Sequence, residues 1–327
     1  MYMHVDINGA YAAFECAMDP KLAQSPLIIA SNNDATIIAM NRLAKNAGLK
    51  RGVPTFKCRD LIEQHHIAVR SSNFTLYEDY SNRFHETLEG FAEDTARYSV
   101  DESFMLMKNM DKILDYEEYG HLIRRTLLHN LSLTCGVGVS KTKTLAKLCT
   151  FASKRWTATG GVVVLTDPAR IKKLLSLINT REIWGIGRKI SDRLAAYGII
   201  TACDFYDSDV RFLRKAFGVE MERTWRELHG EPCFRLHESP PVRQQIIVSR
   251  SLLSVLIRSA SCMRQCHSLP PVPPNSFETM VPGLAKSPCL SKAARLPGLK
   301  IGTAAAVLSR LLRRRTPATW SMRQAPY

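Results

Sequence analysis

The stretch Ala96-Arg97-Tyr98-Ser99-Val100-Asp101-Glu102-Ser103-Phe104-Met105-Leu106-Met107 puts two adjacent carboxylates inside a β-leaning run. Tyr98, Val100, Phe104 and Leu106 alternate, the period of a strand with one buried face, so the run predicts a strand over 98–107. Asp and Glu are poor strand residues, and a pair between apolar flanks costs stability unless something pairs with it. Two readings stand. One is a hairpin turn with solvated acids. The other is a site for a hard cation such as Mg²⁺, which takes oxygen ligands.

Upstream, 3–8 reads as a short strand carrying Asp6 where a buried strand prefers an apolar residue. A helix pattern over 9–16 follows, then a strand at 27–30, a turn at 31–34 and a helix-like segment to Ala47. Further helices are expected at 76–92, 117–128 and 141–154, and strands at 131–139 and 161–165. This alternation predicts an α+β or α/β core sheet with helices packed on it. If neighbouring strands carry Asp6 and Asp101-Glu102, three carboxylates converge and repel unless cations neutralise them. Two Mg²⁺ ions about 3.5–4 Å apart are the standard clamp for in-line phosphoryl displacement. A solvated strand end is the plain alternative for Asp6.

No run of 18 apolar residues occurs, so no membrane span is expected, and the N-terminus lacks the charge and apolar core of a signal peptide. Nine scattered cysteines fit a reducing cytoplasm. Cys262, Cys266 and His267 lie close together, but no second ligand pair follows. The net charge of +15 is uneven, with +10 after residue 251, and the moderately basic body at +5 suits a polyanionic partner. Gly136-Val137-Gly138-Val139-Ser140-Lys141-Thr142 lacks the spacing of a phosphate loop and reads as a strand entering a helix, with small residues for close packing. Gly185-Ile186-Gly187 lacks the third glycine of a dinucleotide fingerprint.

Several motifs occur in order: Asp6-Ile7-Asn8-Gly9-Ala10-Tyr11, Ser31-Asn32-Asn33-Asp34, Ser71-Ser72-Asn73-Phe74, Ser99-Val100-Asp101-Glu102-Ser103-Phe104, the run from Gly136 to Lys147, and Trp184-Gly185-Ile186-Gly187-Arg188. In this set the chain, from residue 1 to about 251, resembles the Y-family of translesion DNA polymerases, in its UmuC- and MucB-like branch.

The resemblance implies a right-hand α+β fold. Its parts would be a palm over 1–165 with a fingers insertion at about 20–75, a helical thumb over 166–232, and a linker over 233–251. Asp6, Asp101 and Glu102, with the Ile7 carbonyl, would bind two Mg²⁺ ions. Tyr11 matches the residue that excludes ribonucleotides, with Ala10 where the family often has an aromatic. Lys45, Arg42 and Lys147 would contact the triphosphate. Gly185, Gly187, Arg188 and Lys189 resemble a helix-hairpin-helix that holds duplex phosphates without reading sequence. The implied function is error-prone, template-directed nucleotidyl transfer from dNTP to a primer end in SOS damage tolerance. The implied partners are primed template DNA, a UmuD′-like dimer and the RecA filament. The family's short sliding-clamp-binding motif is not evident.

After Ser251 the pattern stops. Residues 252–327 hold eleven lysines and arginines against one acid, Glu278, and nine of the sixteen prolines. No little-finger domain is expected in this basic, Pro-rich tail. It reads as a disordered DNA-binding segment or, favoured by the abruptness of the change, as the product of a shifted frame. An impaired DNA- or partner-binding fragment is therefore the rival function. A template-free palm-fold cyclase is a remoter one.

Overall fold

The computed structural model describes residues 1–237, apart from 32, 33, 35, 111 and 112. The expected tail, the linker beyond 237, the Cys262/Cys266/His267 group and part of the 31–34 turn lie outside the described residues. The strands are β1 (Tyr2–Ile7), β2 (Leu27–Ala30), β3 (Ile37–Met40), β4 (Ala68–Ser71), β5 (Thr95–Arg97), β6 (Glu102–Leu106), β7 (Cys135–Ser140) and β8 (Val162–Val164). The helices are α1 (Ala10–Met18), α2 (Arg42–Asn46), α3 (Arg59–Gln64), α4 (Phe74–Glu89), α5 (Tyr116–Leu131), α6 (Lys143–Arg155), α7 (Pro168–Ser176), α8 (Arg188–Ala195), α9 (Ala202–Tyr206), α10 (Val210–Phe217) and α11 (Val219–Leu228).

A five-stranded sheet has the order β5-β6-β1-β7-β8, and a separate three-stranded sheet the order β3-β2-β4. β1 is central, antiparallel to both β6 and β7. Its alternate residues divide the sheet's two faces. Met3, Val5 and Ile7 join Phe14, Tyr77, Phe84 and Ile123 in one core, beneath α1, α4 and α5. His4 and Asp6 turn to the opposite face, under α6. A second core joins α6 to α7–α11 through Leu145, Leu148, Leu175, Phe205 and Leu228. A third fills the small sheet with Ile28, Ile37, Leu49 and Ile67.

Gly138 shows why α6 lies so close to the sheet. A Cβ there would fall 2.2 Å from the Ala146 carbonyl oxygen and 2.3 Å from the Thr150 nitrogen. Only a glycine admits the helix backbone at that distance, which accounts for the small residues expected in this strand.

Four sequence expectations need correction. Residues 98–107 are not one strand: β5 and β6 form an antiparallel hairpin with 98–101 in its turn. Tyr98 and Val100 are exposed, whereas Phe104 and Met105 are both buried. β6 lies inside the sheet with both faces covered, so alternation fails there. The segment before Ala47 opens with β3, whose Ile37, Ala39 and Met40 pair with β2, before α2 begins. The strand expected at 131–139 starts only at Cys135, because α5 runs on to Leu131. The helix expected before the 184–189 hairpin is one 3-10 turn, Thr180–Glu182.

Candidate active site

Registered pairing sets Asp6 of β1 directly opposite Glu102 of β6. Asp101 closes the hairpin turn, and its carbonyl accepts the Ile7 N–H at 2.9 Å. The two motifs, far apart in sequence, therefore meet at one end of the central strands. The Asp101 carboxylate accepts from Ser99 Oγ at 2.8 Å.

α6 supplies the opposing charge. Lys147, Thr150 and Lys154 recur at helical spacing and line its sheet-facing side. Lys154 Nζ lies 2.7 Å from Asp6 Oδ1 and donates to the Ile7 carbonyl at 3.0 Å. Lys147 pairs with Glu102 Oε2, and its ammonium sits 4.3 Å from the centre of the Tyr98 ring. Burial pushes Asp6 up to about 6, offset in part by Lys154. Burial also acts to raise Glu102, but the His4 and Lys147 contacts outweigh it and hold Glu102 at about 2. Burial lowers His4 to about 4, so it is neutral.

A cleft of about 630 Å³ opens over this end of the sheet. It is lined by Asp6, Ile7, Tyr11, Lys45, Arg51, Asp101, Glu102 and Lys154, among others. Tyr11 stacks on Tyr77 with 4.5 Å between ring centres, and Tyr77 donates to Glu15 Oε1 at 2.9 Å, so the ring is braced from behind. Asn41 caps α2 by accepting from the Ala44 N–H at 3.0 Å. It also accepts from the Leu27 N–H at 3.1 Å, which ties the helix bearing Lys45 to β2. Lys45 lines the cleft. Arg42 and Lys147 do not. Sequence reading missed Lys154 and Arg51. Lys154 is signalled by its place seven residues after Lys147, on the same helix face.

Among the described residues, no three His, Cys, Asp or Glu side chains stand close enough to share one metal ion. The oxygen donors nevertheless fit a hard cation. The Asp6 carboxylate and the Ile7 carbonyl, two of the expected ligands, already share one positive charge, the Lys154 ammonium.

The 184–189 hairpin is largely exposed. Gly185 has φ +89°, a conformation that favours glycine, and a Cβ at Gly187 would meet nothing within 4 Å. Its backbone and the Arg188 and Lys189 side chains face outward at the start of α8. Trp184 turns the other way, packing 5.5 Å from Tyr98 and 5.8 Å from Phe104.

Residues 5–151 match the model of the impB/mucB/samB family. The chain is 49% identical to Protein MucB of Escherichia coli over 251 residues, 77% of this chain and 60% of that protein. It is 42% identical to Protein UmuC of Salmonella typhimurium over 252 residues, with the same coverage. It thus spans less than two thirds of the length of these relatives. Its fold is similar to DinB from Sulfolobus solfataricus (TM-score 0.58, 24% identity, 69% of this chain and 66% of that one). It is likewise similar to an insertion ternary complex of Dbh DNA polymerase (TM-score 0.61, 24% identity, 73% and 68%). Residues 5–151 thus carry the impB/mucB/samB family domain, and the likeness to MucB and UmuC extends it over about the first 251 residues.

Proposed function

We propose that this chain is an error-prone, template-directed DNA polymerase that adds dNTPs to a primer 3′-hydroxyl. The observation that carries the reading is the registered Asp6–Glu102 pair, with Asp101 beside it, at the floor of a cleft that also holds Tyr11 and Lys45. The five-stranded sheet within 1–165 is read as palm, the insertion at about 20–75 as fingers, and 166–232 as thumb.

Asp6, the Ile7 carbonyl, Asp101 and Glu102 would hold two Mg²⁺ ions, which would supply Lewis-acid activation of the primer hydroxyl and neutralisation of the leaving pyrophosphate. Lys154, Lys45 and Arg51 carry positive charge into the cleft, where a triphosphate needs it. Arg42 and Lys147, outside the lining, are assigned secondary contacts. Tyr11 lies against the sugar and crowds a 2′-hydroxyl. The hairpin at Gly185–Gly187, with Arg188 and Lys189, grips duplex phosphates. A UmuD′-like dimer, the RecA filament, a role in SOS damage tolerance and a cytoplasmic location belong to the same reading.

An impaired DNA- or partner-binding fragment is the second reading, because the family pattern gives way to a basic, Pro-rich composition after Ser251. Primer extension by the full chain with Mg²⁺, with and without UmuD′ and RecA, separates them. Extension that disappears in Asp101→Ala supports the polymerase. A folded chain that binds primed DNA yet never extends it supports the fragment.

A further inference from the structure

The face of β1 that bears Asp6 also bears a histidine that the proposed reaction does not use. His4 is completely buried. Buried polar atoms are normally paired, because an unpaired one forfeits its hydration for nothing. One ring nitrogen meets this rule: Nδ1 lies 2.9 Å from Thr150 Oγ1 of α6. The other does not. Nε2 makes no regular hydrogen bond, and it lies 3.5 Å from Glu102 Oε2.

The surroundings set the direction of this contact. An Nε2–H facing the Glu102 carboxylate is the complementary tautomer, and Nδ1 then shares the one Thr150 hydroxyl proton with the His4 and Ala146 carbonyl oxygens, 3.0 and 3.1 Å from Oγ1. Thr150 is held within reach because Gly138 lets α6 settle on the sheet. The imidazole packs on Phe104, its partner in the β1–β6 register, with 4.5 Å between ring centres. The ring is therefore fixed on one side by Phe104, braced at Nδ1 and aimed at the carboxylate through Nε2. A contact of 3.5 Å is long for a hydrogen bond, but contacts in unliganded sites are often long and tighten when the site fills.

We propose that His4, braced by Thr150, is a positioning residue that orients the Glu102 carboxylate for a divalent cation. Both named contacts to this carboxylate, from His4 and from Lys147, fall on Oε2, so the cation approaches through Oε1. The inference rests on the reading of Asp6 and Glu102 as metal-binding carboxylates. It goes beyond that reading by assigning a residue that touches neither metal nor substrate. Removing a partner of this outer kind typically costs about 10–100-fold in metal affinity or activity.

The test is Mn²⁺ binding by the full chain, followed by electron paramagnetic resonance of the free ion, in wild type, His4→Leu, His4→Gln and Thr150→Val. Steady-state primer extension accompanies it. His4→Leu fills the core but offers no donor, and is expected to weaken Mn²⁺ binding about tenfold. It lowers kcat while leaving the KM for dNTP unchanged. His4→Gln keeps an N–H and recovers most of the affinity. Thr150→Val frees the ring and gives a smaller loss in the same direction, which keeps the idea testable if His4→Leu fails to fold. Wild-type Mn²⁺ affinity in His4→Leu overturns the inference, as do equal losses in the Leu and Gln variants, which indicate simple core filling. If the wild-type chain extends no primer but His4→Leu still weakens Mn²⁺ binding, the polymerase reading fails and the positioning role stands.

Discussion

Trp184 donates its indole N–H to the Tyr98 hydroxyl at 2.9 Å, with the two rings edge to face. This joins the exposed glycine hairpin to the turn that carries Asp101 and leads into Glu102. Phe234 also packs against the indole, 5.3 Å between ring centres. A double-mutant cycle of Trp184→Phe and Tyr98→Phe on unfolding free energy is expected to show a coupling of about 0.5–1.5 kcal/mol. Strictly additive effects would mean the two rings are neighbours without a shared bond.

Tyr11 is braced by Tyr77 and lines the cleft. Tyr11→Ala removes the ring while leaving the carboxylates untouched. Incorporation of ribonucleotides is expected to rise at least tenfold relative to deoxynucleotides, roughly the 1.4 kcal/mol that a lost steric clash readily supplies. The ratio of kcat/KM for the paired nucleotides measures it. An unchanged ratio removes Tyr11 from the sugar pocket.

Glu227 of α11 is wholly buried, and no motif in the sequence marks it. Its carboxylate accepts the N–H groups of Thr144 (3.0 Å), Cys233 (2.6 Å) and Phe234 (3.1 Å). Its backbone carbonyl accepts from Thr142 Oγ1 at 2.8 Å. It thus clamps the start of α6, the helix that carries Lys147 and Lys154. Glu227→Ala strands the buried Thr144 N–H and the half-buried Cys233 and Phe234 N–H groups and is expected to cost about 3 kcal/mol in chemical denaturation. A loss under about 0.5 kcal/mol, the level of an ordinary surface substitution, contradicts the clamp.

Gly138→Ala forces a methyl into the backbone of α6. Overpacking of this kind costs about 1–3 kcal/mol, and here it also lifts Thr150 and the lysines off the sheet. Activity is therefore expected to fall further than stability alone predicts. Thermal unfolding and primer extension measured side by side test this. A variant as stable and as active as wild type would falsify the close helix–sheet contact.

His85 is buried, with Nε2 donating to the Ser99 carbonyl at 2.9 Å and Nδ1 without a partner. Burial holds it below its ordinary value of 6.5. The unfolded chain takes up a proton near 6.5 and the native chain only at a lower pH. Stability is therefore full above 6.5 and is lost as pH falls from 6.5 through the lowered native value. His4, held at about 4, adds a loss of the same sign. Denaturation midpoints between pH 7.5 and 5 are expected to fall less steeply in His85→Phe than in wild type. Identical slopes rule out the His85 contribution.

Much of the active end is legible in the amino-acid sequence by itself. Asp6, Asp101 and Glu102 stand out because acids are misplaced in β-leaning runs, and small residues at 136 and 138 announce a helix pressed on a strand. Local pattern suffices for β1, β2, α1, α4 and α6. It fails at 98–107 and at 37–40, where pairing partners outside the window determine whether a segment turns or extends. Only the tertiary structure puts Asp6 opposite Glu102, since strand order is a property of the sheet and not of either strand. Only it brings Lys154 to Asp6, His4 to Glu102 and Glu227 to the start of α6. Each of these pairs a charged or polar group with a partner more than 80 residues away, and burial makes such pairing obligatory without naming the partner in the sequence.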